Sequence, residues 1–358
     1  MTSLSELRQK IDRIDDELAA LLNSRAELAL QVRQAKQQTS AAVYSPERER
    51  EIIDRVIETA GNGPFPRSAL AKVFSEIISA TRSLVGGLAV SFPGPECSLA
   101  HDAALKQFGE TVSYRPEVSL EEVIAKLERG DANFAVLPAK SMSGGLVSKT
   151  FELLMRSKTR IIAEVDVRER LVLVGEASVL GNIRHVYSDA YSFMRSLSWL
   201  KANVPLAELV LVGSYPQALE RLGEQEHSAA VLSATFAERY RRTLLANGIE
   251  SDVDEQARFV VLGRDAAKPT GKDKTSILCG IADRPGALRE LLQPFAELGV
   301  TLLQIESKPV RNEAWEYLFY VEVSGHEEDG PVRLALENLG AISSFTKVLG
   351  SYAAASQI

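Results

Sequence analysis

Between Leu4 and Lys36 apolar residues recur at Leu4, Leu7, Ile11, Ile14, Leu18 and Leu21, in steps of three and four. That spacing predicts one long amphipathic helix whose apolar seam packs on another helix. The next seam position is Arg25, and Leu28, Val32 and Ala35 then resume the pattern. A guanidinium in an apolar seam is costly unless an anion meets it. Lys36 lies farther along the same face, so two inward cations mark a pocket for an anion. Arg8 lies roughly 25 Å before Arg25 on a helix and points about 100° away. It cannot reach that pocket within one chain, so a role for it requires an antiparallel helical dimer. The competing reading makes Arg8 and Lys36 solvated charges and lets Arg25 snorkel to water.

Ser45 as N-cap and Pro46 as first helical residue start a second helix, which runs to about Thr59. Gly61-Asn62-Gly63-Pro64 breaks it. A third helix, 68–84, is expected to turn Val73, Ile77 and Ile78 inward, and Gly86-Gly87 closes an all-α module of residues 1–87. On the second helix Arg48 and Glu49 extend the charge set, although they sit within a charged run.

From Leu88 short apolar runs alternate with amphipathic stretches. Strands are expected at 88–92, 134–138, 160–165, 170–175, 185–187, 209–212, 228–232 and 259–263. Helices are expected at 100–109, 119–129, 193–202, 215–222 and 235–246. This reads as an α/β region, 88–264, with two lobes around a cleft. Ligands in such folds lie beyond the carboxyl ends of strands, which singles out the loops at 93–100, 138–145, 188–192 and 252–259. A polar linker, Asp265–Lys272, leads to a last module, 273–352, whose pattern βαββαβ is ferredoxin-like.

With 358 residues the chain is long enough for two or three domains. No apolar run has bilayer length, and the charged, helical N-terminus does not read as a secretory signal. Cys97 and Cys279 are the only cysteines, which disfavours a metal cage or disulfide framework and suggests the cytoplasm. A net charge of −7 disfavours nucleic acid but not a small anion held by local cations. No metal, cofactor or membrane is expected.

Leu7-Arg8, Ile11-Asp12, Ile14-Asp15, Leu21-Leu22-Asn23-Ser24-Arg25, Lys36 and Arg48-Glu49 together resemble the helical chorismate mutase family. The resemblance implies that Arg25, Lys36 and Arg48 hold the carboxylates and ether of chorismate, that Arg8 reaches in from a second subunit, and that Glu49 meets the ring hydroxyl. The chemistry is a pericyclic rearrangement, which needs a clamp and charge stabilisation but no nucleophile. Gly94-Pro95-Glu96, His101, Pro138, Ser143, Gly145, Val147 and Arg258-Phe259 resemble the prephenate dehydratase domain. Gly286-Ala287-Leu288 and Glu306-Ser307-Lys308-Pro309 resemble the two ligand motifs of a phenylalanine-sensing ACT domain, with Lys308 in place of an Arg. The expected fold is thus an all-α chorismate mutase module, a two-lobed α/β dehydratase-like domain and a ferredoxin-like ACT domain. The expected partners are a chorismate- or prephenate-like dianion, phenylalanine as effector, and further copies of the chain in a homodimer or homotetramer.

The chain departs from these families at chemistry-bearing positions. Where the mutase family places a Gln or Glu against the ether oxygen, this chain has Val85, with the hydroxyl of Thr81 one turn earlier. The dehydratase Thr before Arg-Phe is Ala257, and its Glu-Asn-Ser reads Lys140-Ser141-Met142. Two readings follow. One is a bifunctional mutase and dehydratase of phenylalanine biosynthesis with impaired turnover. The other is a diverged paralogue that senses phenylalanine and a shikimate-derived dianion, or that decarboxylates prephenate without dehydrating it. Val85→Gln is expected to raise mutase turnover by up to about 10²-fold, the usual weight of one such donor. Ala257→Thr alone should change phenylpyruvate formation little. Steady-state assays on chorismate and prephenate check both.

Overall fold

The computed structural model describes residues 3–354 except 38–45, 62, 86, 142–144, 176–178, 252–255, 282–283 and 310–316. Helix α1 (Leu4–Gln37) is unbroken over 34 residues. A reciprocal cap starts it: the Glu6 N–H donates to Ser3 Oγ, and the Ser3 N–H donates to the Glu6 carboxylate. Helices α2 (Pro46–Ala60) and α3 (Arg67–Val85) follow, and α3 packs against both α1 and α2. The α1 seam is not covered within the chain: Leu4, Leu7, Ile11, Ile14, Leu18 and Leu21 are 47–67% exposed. Val73 is also exposed, contrary to expectation, whereas Ile78 is buried. Burial on α3 is concentrated at its C-terminal end. There Ser79 Oγ donates to the Phe108 carbonyl, tying the helical module to the α/β region.

The α/β region begins with β1 (Ala89–Pro93), α4 (Leu99–Phe108), β2 (Ser113–Glu117), α5 (Leu120–Arg129), β3 (Phe134–Lys140), α6 (Ser148–Arg156) and β4 (Arg160–Val167). The chain then crosses to a second lobe. This comprises β5 (Leu171–Gly175), β6 (His185–Ser188), α7 (Ala190–Asn203), β7 (Glu208–Leu211), α8 (Tyr215–Leu222), β8 (Ser228–Ser233), α9 (Ala234–Arg239) and β9 (Leu244–Asn247). It returns as β10 (Ala257–Gly263), which inserts antiparallel between β3 and β4. The sheet orders are β2-β1-β3-β10-β4 and β7-β6-β8-β5-β9. Two lobes joined by two crossings agree with the sequence reading.

Several elements differ from that reading. Strand β2 carries Pro116 and lies at a sheet edge, so it lacks the apolar alternation that marks a strand. Helix α6, also unanticipated, is only nine residues long. The helix expected over 235–246 stops at Arg239. Arg241 adopts φ +49°, and Leu244–Asn247 pairs with β5 instead. A free sheet edge outweighed helical spacing there.

The last module is β11 (Asp273–Ile281), α10 (Ala287–Glu297), β12 (Leu302–Pro309), β13 (Tyr317–Ser324), α11 (Gly330–Ile342) and β14 (Phe345–Ala353), in sheet order β12-β13-β11-β14. This is the expected βαββαβ order. Helices α10 and α11 cover one face of the sheet. The other face, through Leu278, Leu318, Tyr320, Leu349 and Tyr352, forms one core with Leu137, Phe151, Val260 and Leu262 of the first lobe. No helix among the described residues is long and apolar enough to cross a membrane. Strand β14 crosses β4 closely at Gly350, where an added Cβ would overlap the Ile161 backbone. Gly350→Ala is therefore expected to destabilise the chain by about 1–3 kcal/mol. Gly340→Ala, in open space on α11, should be neutral or stabilising. Denaturant unfolding of the two variants measures the difference.

Candidate functional sites

In the helical module three elements converge on one cluster. Arg25 of α1 donates through Nη1 to Thr81 Oγ1 of α3 at 2.5 Å, and Thr81 itself donates to the Ile77 carbonyl at 2.7 Å. Glu49 of α2 lies 3.5 Å from Nη1 of Arg82 on α3, a contact of which Arg82 is 7% exposed and Glu49 19%. Burial pushes the Glu49 carboxyl up to about 7, against the pull of Arg82 and Arg25. Burial also holds the Arg25 guanidinium below its ordinary value, with Glu49 opposing. The structure brings Arg25, Thr81 and Glu49 into one neighbourhood.

Arg82 was missed, although a signal existed. It follows Phe74 and Ile78 at four-residue steps, so it falls on the buried stripe of α3 just as Arg25 falls in the seam of α1. Arg48 departs from the expected clamp: its side chain is 60% exposed and pairs with Glu51 at 2.7 Å, one turn along its own helix. Arg8 is exposed near the far end of the continuous α1 and is not brought to Arg25. The side chains of Lys36 and Val85 lie outside the described residues.

In the α/β region the loop after β1 is pinned by His101. Its Nδ1 accepts from the Cys97 N–H at 2.9 Å, and its ring stacks on Phe92 at 4.8 Å. Burial, then the nearby Arg239, lowers its pKa. Arg239 of the second lobe pairs with Glu96 of the same loop at 2.7 Å, joining the lobes. Ser141 closes the second loop, its N–H donating to the Gly145 carbonyl at 2.9 Å. Ser143 lies outside the described residues.

Ala257 and Phe259 point into the first-lobe core beside Phe92 and Ala100. Arg258, on the opposite face, grips Asp166 through Nε at 2.8 Å and Nη2 at 3.1 Å. Burial acts to lower its pKa, but Asp166 and Glu164 raise it above the ordinary value. Its cross-strand neighbour Lys140 is lowered by burial and by Arg258 itself.

The second lobe adds Glu169, Arg195 and Tyr215, which the sequence reading does not single out, beside Asp189 and Ser192 of the loop at 188–192, which it does. Arg195 Nη1 lies 3.3 Å from Glu169, and the Tyr215 hydroxyl donates to Glu169 at 3.2 Å. Asp189 caps α7, and Ser192 Oγ donates to it at 2.7 Å. Across from them burial pushes Asp102 of α4 up to about 7, with a hydrogen bond from Thr235 opposing and Glu169 and Glu238 reinforcing. These residues come from five separate stretches, so no local spacing links them.

In the last module Tyr317 of β13 pairs with Ile281 on one side and with Pro309 on the other. That register brings the turn after β11, with Gly286, Ala287 and Leu288, to the same end of the sheet as Glu306, Ser307, Lys308 and Pro309. Gly286 adopts φ +87° immediately before α10, a conformation glycine tolerates best. Lys308 pairs with Glu152 on α6. Among the described residues no group of three or more His, Cys, Asp or Glu could hold a metal ion.

The family model for chorismate mutase type II matches residues 7–85, that for prephenate dehydratase matches 90–267, and that for the ACT domain matches 275–341. A bifunctional chorismate mutase/prephenate dehydratase from Aquifex aeolicus is 37% identical over 355 residues, 98% of each chain. The chain belongs to the bifunctional chorismate mutase/prephenate dehydratase family. A relative of the same description from Stutzerimonas stutzeri is 35% identical over 98% of this chain and 97% of its own. A prephenate dehydratase from Arthrobacter aurescens, solved in complex with L-Phe, superposes with a TM-score of 0.66 at 29% identity. It covers 75% of this chain and 90% of its own.

Within this family's mutase module the perturbed acid makes a prediction. Between about pH 4.5 and 7 the unfolded chain releases the Glu49 proton before the folded chain does, so this group's contribution to stability falls as pH rises through that window. The loss is at most about 3 kcal/mol. Carboxyl-carbon NMR should show Glu49 titrating near neutral pH, and Arg82→Met should move the midpoint upward by removing a neighbouring cation.

Proposed function

We propose that the chain converts chorismate to prephenate in the helical module, carries prephenate toward phenylpyruvate in the α/β region, and binds phenylalanine in the ACT module. The observation that carries this reading is the convergence of Arg25, Thr81, Glu49 and Arg82 from three helices. It puts two guanidiniums, a hydroxyl and a near-neutral carboxyl in one place. Such a set suits a dicarboxylate with a ring hydroxyl. The cations hold the carboxylates in the folded conformer, Thr81 Oγ1 accepts from Arg25 and fixes the stance of that guanidinium, and Glu49 meets the hydroxyl.

Arg8 completes the pocket of a second copy, with Lys36 and Arg48 closing over the bound dianion. The uncovered apolar seam of α1 supports an even-numbered oligomer built on that helix. In the α/β region Arg258 and Lys140 border the dehydratase site, and His101 shapes its first loop. In the ACT module the N–H groups at Gly286 and Leu288 receive the carboxylate of phenylalanine, while the Ala287 N–H donates to the Arg284 carbonyl and shapes the turn, with Glu306–Pro309 beside it. The proposed boundaries are 1–87, 88–264 and 273–352, and the proposed compartment is the cytoplasm, in keeping with two free, buried thiols.

Ala257 supports the second reading of the α/β site. A buried methyl group cannot protonate a leaving hydroxyl, and Lys140, paired with Arg258 across the ladder, adds a cation on the other face of the sheet. On that reading prephenate is bound, or decarboxylated with its hydroxyl retained.

Purified protein given chorismate should consume it and accumulate prephenate, with phenylpyruvate appearing more slowly. Phenylpyruvate at a rate matching prephenate formation would overturn the impaired-turnover account; no loss of chorismate would overturn the mutase assignment. Arg8→Ala and Arg25→Ala should each abolish mutase activity as homo-oligomers. Mixed and refolded together they should regain it, because one site of each hybrid then has both arginines. Calorimetric titration with phenylalanine should show binding that Gly286→Val weakens by about tenfold or more, since valine at positive φ is strained.

A further inference from the structure

Arg258 stands at the cleft end of β10 between Lys140 of β3 and Asp166 of β4. Its side chain shares the face of Val260 and Leu262, which packs on the ACT module, rather than the face of Ala257 and Phe259. Beyond the fork to Asp166, its Nη1 lies 3.5 Å from Glu164 Oε2. The same carboxylate oxygen is 2.5 Å from Nζ of Lys274, on the first strand of the ACT module. Lys274 also lies 2.9 Å from Glu322 of β13. The Tyr320 hydroxyl donates to Glu322, and Ser276 Oγ bonds the hydroxyls of Tyr320 and Tyr352.

The middle of this chain is dry: Lys274, Glu164 and Glu322 expose 2–5% of their side chains. An exposed ion pair of this kind would transmit little. In a water-poor interface the attraction is strong, and removing one member leaves a partner charge uncompensated. Three carboxylates, Glu164, Asp166 and Glu322, face the cations Arg258 and Lys274, with Lys140 acting on the same cluster at longer range. Without Lys274, the nearest cation left to Glu164 is Arg258. Balancing it would draw the guanidinium off the Asp166 fork and inward from the cleft edge.

We propose that Lys274 is a positioning residue for the dehydratase site, a cation supplied by the ACT module that sets the stance of Arg258 through Glu164. This rests on the reading that Arg258 borders that site. It makes the geometry of the dehydratase edge depend on how the ACT sheet is docked.

The test uses the full-length protein with Lys274→Met combined with Glu322→Gln, which removes one cation and one anion together, and Lys274→Arg as the conservative variant. The double variant should raise the KM for prephenate about tenfold, the weight of one charged hydrogen bond, while kcat changes less. Lys274→Arg should restore the wild-type KM. In parallel, the Arg258 Nε–H resonance, protected in the wild type by Asp166, should exchange with solvent about tenfold faster in the double variant. Should that variant lack a cooperative thermal transition, Lys274→Gln combined with Glu322→Gln removes the same two charges while keeping polar side chains, and is expected to give the same two readouts. If the wild type forms no phenylpyruvate, the dehydratase reading fails on its own, and the Nε–H exchange alone decides the role of Lys274. Unchanged exchange, or an unchanged KM in an active enzyme, overturns the proposal.

Discussion

Arg82, Arg195 and Lys274 are all but removed from water, and the contacts between parts of this protein are arranged around meeting their charge. A cation held in a low-dielectric interior must face an anion or lose its proton, and a guanidinium does not lose its proton. Arg82 faces Glu49, Arg195 faces Glu169, and Lys274 faces Glu164 and Glu322. Each pair joins segments distant in sequence. The Arg82 pair draws α2 and α3 together where α3 meets the α/β region. The Arg195 pair ties α7 to the crossing between lobes. The Lys274 set fastens the ACT sheet to the dehydratase sheet.

This arrangement gives the modules different relations to one another. The helical module touches the α/β region at the end of α4, where the Phe108 carbonyl accepts from both Ser79 Oγ and Arg82 Nη2. The ACT module instead shares an apolar core with the first lobe and buries charge along the same interface. Helix α4 lies between two candidate sites: its Phe108 end abuts the mutase cluster and its His101 end shapes the dehydratase loop. Arg82 is therefore both a neighbour of Glu49 and the contact that anchors α3 on α4.

The replaced residues acquire a physical meaning in this frame. Ala257 does not stand open in the cleft; it is packed with Phe92 and Ala100, so restoring a hydroxyl there also asks the core to accept a polar atom. Lys140 is not an isolated cation but the neighbour of Arg258 across the strand ladder, and Arg258 adds to burial in lowering its pKa. Arg258, Asp166 and Glu164 form a charge cluster that continues through Lys274 into the ACT interface.

Much of this was legible without coordinates. The three-four spacing of α1 and the placement of Arg25 in its seam follow from helix geometry, as do the alternation of strands and helices after Leu88 and the βαββαβ order of the last module. Periodicity reports which face of an element is apolar, and apolar faces must be covered. Periodicity does not report what covers them. Hence apolar spacing turns Val73 inward, yet it lies exposed, and the helical spacing that ends at Ala246 gives way to a strand at the edge beside β5. The same limit hid Glu169, Arg195 and Lys274 as buried, partnered charges. Their significance lies in partners across domain and lobe boundaries, and the cost of burying a charge is set by those partners, which only the folded chain brings within reach.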